Sequence, residues 1–192
     1  MFMLILGLAL FLGVHSIRIV ADGWRSAQIA RIGEKGWKAG YSIASLAGFV
    51  LIVRGYGIAR GGGAWLWVPP AGVRHLSALL TAIAFILIAA SHVPANHIKA
   101  LIGHPMVAGV MAWAVAHLLA NGAVHAVVLF GAFFIWSLVD FVVSRARDRK
   151  AGMRYPAGTA RGDAIAVAGG LAVWAVFAFL LHGWLIGVKP FG

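Results

Sequence analysis

Two apolar stretches of the chain each carry a histidine where hydrocarbon would leave its ring nitrogens without water. In FLGVHSIRIV it is His15, and in MAWAVAHLLANG it is His117. A neutral imidazole is less costly to bury than a charge, yet both nitrogens still need a hydrogen-bond partner or a metal. A histidine at membrane depth is therefore read first as functional. Two histidines from different helices are also the usual axial donors to a haem iron, because haem is a flat apolar disc that fits between helices and takes one nitrogen on each face. The competing reading for each ring is a plain interhelical hydrogen bond.

Trp113 precedes His117 by four residues and Asn121 follows it by four, so the three share one helix face, and Trp113 could wall a cofactor. His104 precedes Pro105, a helix-start signal, which makes capping the rival of any ligand role for that histidine. His75 and His182 are weaker candidate donors, and His92, His97 and His125 lie near segment ends where water reaches. Ser16 beside His15 suggests a nucleophile, but a helical serine usually bonds its own backbone, and no acid is placed to orient the histidine. The chain has no cysteine, which excludes disulfides, thiolate metal sites and covalent C-x-x-C-H haem attachment, so any haem is held non-covalently. The Gly61–Gly63 run lacks a preceding strand and a following GK[ST], and reads as a turn rather than a phosphate cradle.

The elements that must position these residues follow from composition. Of 192 residues, 62% are hydrophobic and only five are acidic. Mean hydropathy is +0.93. A soluble domain is about half apolar and a quarter charged, so the fold class is all-α, a polytopic membrane bundle forming one domain over residues 1–192. A bilayer core about 30 Å thick needs roughly 20 apolar residues per helix, and six such spans occur: Phe2–Val20, Ala39–Ile58, Val73–Val93, His104–Asn121, Ala123–Val143 and Ala164–Val188. The runs are continuously apolar and lack the alternation of a lipid-facing strand. The first has no basic residue before it and no A-x-A site after it, and reads as a retained helix rather than a signal peptide.

The net charge of +11 sits in short loops, which argues for topology and against nucleic acid. Eleven cations fall on one side: Arg25, Arg31, Lys35, Lys38, Lys99, Arg145, Arg147, Arg149, Lys150, Arg154 and Arg161. That side is expected to be cytoplasmic, with both termini opposite it. The Arg145–Lys150 run also suits contact with anionic lipid. This orientation puts His15, His92, His97 and His104 toward the inner face and His75, His117, His125 and His182 toward the outer one.

VHSIRIVADGWR, RIGEKGWKAGYSIASLAGF, GHPMVAGVMAWAVAHLLANG and FLLHGWLIGVKPFG, in that order, resemble the NnrU family of bacterial inner-membrane proteins over essentially the whole chain. The resemblance implies a multi-pass protein of the bacterial inner membrane linked to denitrification and nitric oxide metabolism. It also implies kinship with the 15-cis-zeta-carotene isomerase family, whose members bind haem b. Carried onto this chain, the isomerase motifs make His15, of His15-Ser16, and His117, of Trp113–His117, the iron ligands. The cysteine of the isomerase motif is Ala114 here, and the arginine of its R-H-P is Gly103. At 1.5 Å per residue, His15 and His117 differ in expected depth by about 10 Å. His15 with His104, or His117 with His75 or His182, matches better in depth.

Three functions compete. The first is a haem b membrane protein handling nitrogen oxides, with a gaseous ligand. The second is a haem-dependent cis-trans isomerase of a carotenoid-like polyene. The third is a non-enzymatic assembly factor whose histidines only hydrogen-bond. Six short helices also leave room for a homodimer.

Overall fold

A computed structural model describes residues 1–191, and among them the regular structure is helical. In order the elements are α1 (Phe2–Val20), α2 (Asp22–Ala59), α3 (Val73–His92), α4 (His97–Ile102), α5 (Pro105–Ala120), α6 (Val124–Lys150), α7 (Ala160–Val176), a π-helical turn (Phe177–Leu181) and α8 (His182–Ile186). Among the described residues five helices are long and apolar enough to cross a membrane, counting α7 to α8 as one. The span expected at His104–Asn121 is the 16-residue α5, about 24 Å long and so short of a full hydrocarbon core. Only 11% to 22% of each long helix's most apolar window is buried inside the protein. Phe2, Ile43, Leu138 and Trp184 are among the large apolar side chains left outside. Water would not tolerate such a surface, but lipid matches it.

The stretch between the first two expected spans, Ala21–Lys38, is helical from Asp22 onward. Chain direction changes at one residue, Gly33, whose φ of 77° and ψ of 160° interrupt the helix that begins at Asp22. Only glycine adopts that conformation without strain. Trp24 and Trp37 pack edge to face across the break, with ring centroids 5.8 Å apart.

Contacts divide the chain into two compact units. The first comprises Met1–Val68 and Gly122–Trp136, and so holds α1, α2 and the first half of α6. Its core is an antiparallel hairpin in which glycine lets the backbones touch. A Cβ on Gly48 would stand 2.8 Å from Phe11 N, and one on Gly7 would stand 2.6 Å from Ile52 N. Gly55 lies in the same way against Leu4. These contacts fix one register, which brings Tyr41 and Ser45 of α2 toward the end of α1 that carries His15. Between α2 and α6, Val124 N–H donates to Ala64 O and Leu66 N–H to Gly122 O.

The second unit comprises Pro69–Asn121 and Ser137–Gly192. Its α3 packs against both α5 and α7, close to Gly109 of α5 and Gly170 of α7, and Trp174 Nε1 donates to Thr81 Oγ1 at 3.0 Å. At the other end of this unit, Asn96 is 1% exposed. It caps α4 by accepting from Lys99 N and donates to Ala90 O and Val93 O. Thr159 caps α7 by accepting from Gly162 N at 3.0 Å.

If close helix approach holds the first unit together, Gly48→Ala destabilises it by about 1–3 kcal/mol through overpacking. Gly13→Ala, where a Cβ meets nothing within 4 Å, leaves stability unchanged or raises it by up to about 1 kcal/mol. Thermal unfolding of the detergent-solubilised variants measures both.

Candidate imidazole sites

His15 and His117 use the same local device. Nδ1 of His15 lies 2.7 Å from Phe11 O, and Nδ1 of His117 lies 2.8 Å from Trp113 O, one turn earlier on each helix. A carbonyl only accepts, so Nδ1 carries the proton and the lone pair sits on Nε2. The aromatic residue that lends its carbonyl also packs on the imidazole. Phe11 stacks on His15 at 4.2 Å between centroids, and Trp113 meets His117 at 5.0 Å.

In the first unit, Tyr41 and the edge-on Trp136 complete an aromatic wall around His15, at 5.2 Å and 6.0 Å. Three polar atoms of this unit, Ser45 Oγ, His125 Nδ1 and Trp136 Nε1, are buried with no hydrogen-bond partner in the protein. Ser16 Oγ donates to Leu12 O at 2.7 Å, so its hydroxyl is committed to its own helix as expected. Beside it runs an open apolar groove of about 380 Å³, extending from Ile5 to Ser16 on α1 with Val128 and Ala132 of α6 as its far wall. His125, expected at an interface, is 8% exposed instead. It packs edge to face on Tyr56 at 4.9 Å.

In the second unit, Asn121 Nδ2 donates to His117 O at 3.0 Å, so Trp113, His117 and Asn121 do share a face. His182 lies within electrostatic reach of His117. It follows the π-helical turn, donates from Nδ1 to Val188 O at 2.6 Å and meets Phe177 edge-on. His75 is exposed in the first turn of α3.

His104 does not cap α5 with its side chain. Nε2 instead lies 2.7 Å from Asp148 Oδ2, and Tyr155 donates its hydroxyl to the same carboxylate oxygen. Arg145 stands over the Tyr155 ring at 6.0 Å. Both close on Gly103, where φ is 80° and a Cβ would meet Arg145 Nη1 and the Tyr155 hydroxyl at 2.6 Å. His97 makes the equivalent pair with Asp163 at 2.6 Å and adds its backbone N–H to the other oxygen at 2.7 Å. Sequence reasoning missed both acids. They lie 44 and 66 residues from their histidines, with no periodicity to join them.

Among the described residues no group of three or more His, Cys, Asp or Glu side chains is arranged to hold a metal ion. The architecture is that of a polytopic helical membrane protein. More narrowly, the chain belongs to the NnrU family, whose model, described as NnrU protein, matches residues 3–190. No curated protein and no solved structure matches it.

The Tyr155 contact has a pH signature. Burial first, then the hydrogen bond and charge of Asp148, raise the phenol above its ordinary value of 10.0, against a smaller opposing effect of Arg145. The folded chain therefore holds this proton more tightly than the unfolded one. The resulting stabilisation is whole below pH 10 and is lost as pH climbs through the raised value. Cleavage of the 151–159 turn by an alkali-stable protease is expected to accelerate above pH 10 in the native chain. Tyr155→Phe, which already lacks the contact, should be cut faster at neutral pH and show no such acceleration.

Proposed function

We propose that this chain is a haem b-binding protein of the bacterial inner membrane that serves nitric oxide and denitrification metabolism, with His15 and His117 as the residues offering nitrogen to iron. The observation carrying this reading is the repeated aromatic-x-x-x-His device, in which Nδ1–H is spent on the carbonyl one turn back. Metal-bound histidines almost always donate their second ring nitrogen to such a partner, which fixes the tautomer and makes the other nitrogen more basic. The buried, unpartnered Trp136 N–H and Ser45 hydroxyl fit the same reading, since a bound group with acceptor atoms would satisfy them. A haem held by both histidines would supply one-electron exchange, and release of one of them would open a place for a diatomic ligand. The protein's own part is to hold each imidazole in one tautomer, His15 among Phe11, Tyr41 and Trp136 and His117 against Trp113.

One observation favours a second reading, isomerisation of a carotenoid-like polyene. The groove beside Ser16 is lined almost wholly by apolar side chains and runs eleven residues along α1, about 16 Å at 1.5 Å per residue. That shape suits an extended hydrocarbon chain. It contains no carboxylate, which agrees with a reaction that needs no proton donor.

The absorption spectrum of protein purified from haem-supplied cells tests the first reading. A Soret band is expected, and His15→Ala and His117→Ala should each abolish it. Retention of the band in both variants would remove these ligands. Colourless wild-type protein would leave both histidines as hydrogen-bonding residues of a membrane assembly factor. With coloured protein, conversion of cis-carotenes by the reduced form separates the isomerase from a nitric oxide-binding protein.

A further inference from the structure

We propose that the second unit binds the phosphate of an anionic phospholipid at the end where α6 passes into α7, through Arg149, Lys150, Arg154 and Arg161. The Arg145–Lys150 run is not itself the surface. Arg145 is turned onto the Tyr155 ring, and Arg147 donates to Ser144 Oγ at 3.1 Å.

The acids of this end are committed inside the protein as well. Asp140 accepts from Ser144, Asp148 is met by Tyr155 and His104, and Asp163 is met by the ring and backbone of His97. Arg149, Lys150, Arg154 and Arg161 remain exposed, and no carboxylate reaches them among the described residues. Four like charges within thirteen residues of chain, none neutralised by a carboxylate, call for a counter-ion.

Their depth says which one. Val142 of α6 is 55% exposed and Ile165 of α7 is 50% exposed. Val142 lies seven residues before Arg149 and Ile165 four after Arg161, so lipid-facing surface begins within about 6–10 Å of the cations along each helix. Met153, 57% exposed, sits between them and suits the boundary of headgroup and acyl chain. A turn this close to hydrocarbon meets lipid phosphate before any other polyanion, and basic side chains at that depth attract anionic headgroups by about 1 kcal/mol each.

The test is lipid titration of the full chain in detergent, read by native mass spectrometry, with phosphatidylglycerol against phosphatidylcholine. The variant Arg149→Gln/Lys150→Gln/Arg154→Gln/Arg161→Gln should lose at least about a hundredfold in affinity for phosphatidylglycerol. A charge-matched variant, Arg31→Gln/Lys35→Gln/Arg54→Gln/Arg74→Gln, should stay within about threefold of wild type, because it leaves the four phosphate-binding cations in place. Equal loss in both variants, undiminished binding in the first, or equal displacement by inorganic phosphate at the same concentration each overturns the proposal. Should the quadruple variant not fold, Arg154→Glu alone must weaken phosphatidylglycerol binding, and unchanged binding there overturns it too. No haem enters the measurement, so its outcome is independent of the proposed cofactor.

Discussion

Hydrocarbon offers no hydrogen bonds, so every polar side chain carried into it must be met by the protein itself. In this chain the acceptor most often used is the carbonyl three or four residues earlier on the same helix. His15, Ser16, Thr81, Ser91, His92 and His117 all bond in this way. The arrangement asks nothing of neighbouring helices, so it survives any adjustment of their packing. It also sets the chemistry of the imidazoles, because a ring tied through Nδ1 keeps one tautomer and one orientation.

Where water reaches, the pattern changes from local to long-range. His97 finds Asp163 and His104 finds Asp148 at the end of the second unit where α4, α5, α6 and α7 start or stop. These pairs join elements that hydrophobicity alone would leave free to slide, since lipid is as apolar as the helices. Within the membrane segments that work falls to small residues, with Gly7, Gly48 and Gly55 in one unit and Gly109 and Gly170 in the other at backbone contacts.

Much of this was legible in the sequence. Long apolar runs marked every membrane helix, because the hydropathy of a span is a property of composition and length. The Trp113–His117–Asn121 face followed from helical spacing. What failed was whatever depends on partners distant in sequence or on one backbone angle. The residues from Asp22 to Lys38 looked too polar for a span, yet polar residues still form helix at a membrane's edge, and only Gly33 records the bend. His104 does stand at the N-cap position that Pro105 signals, but its side chain is spent on Asp148, 44 residues away, which nothing local in the sequence announces. Burial of His125 came from the turn at Gly63, whose missing side chain leaves room for the ring.

The five residues from Phe177 to Leu181 wind as a π-helix rather than an α-helix. Such a turn is equivalent to one inserted residue, and it advances everything after it by about 100° around the axis. Were a residue deleted there, the histidine now numbered 182 would fall into the angular place of Leu181, and its bond to Val188 O would have to be found elsewhere. The final stretch of the chain thus owes its facing to a single unit of helical phase, a quantity that hydropathy profiles do not register.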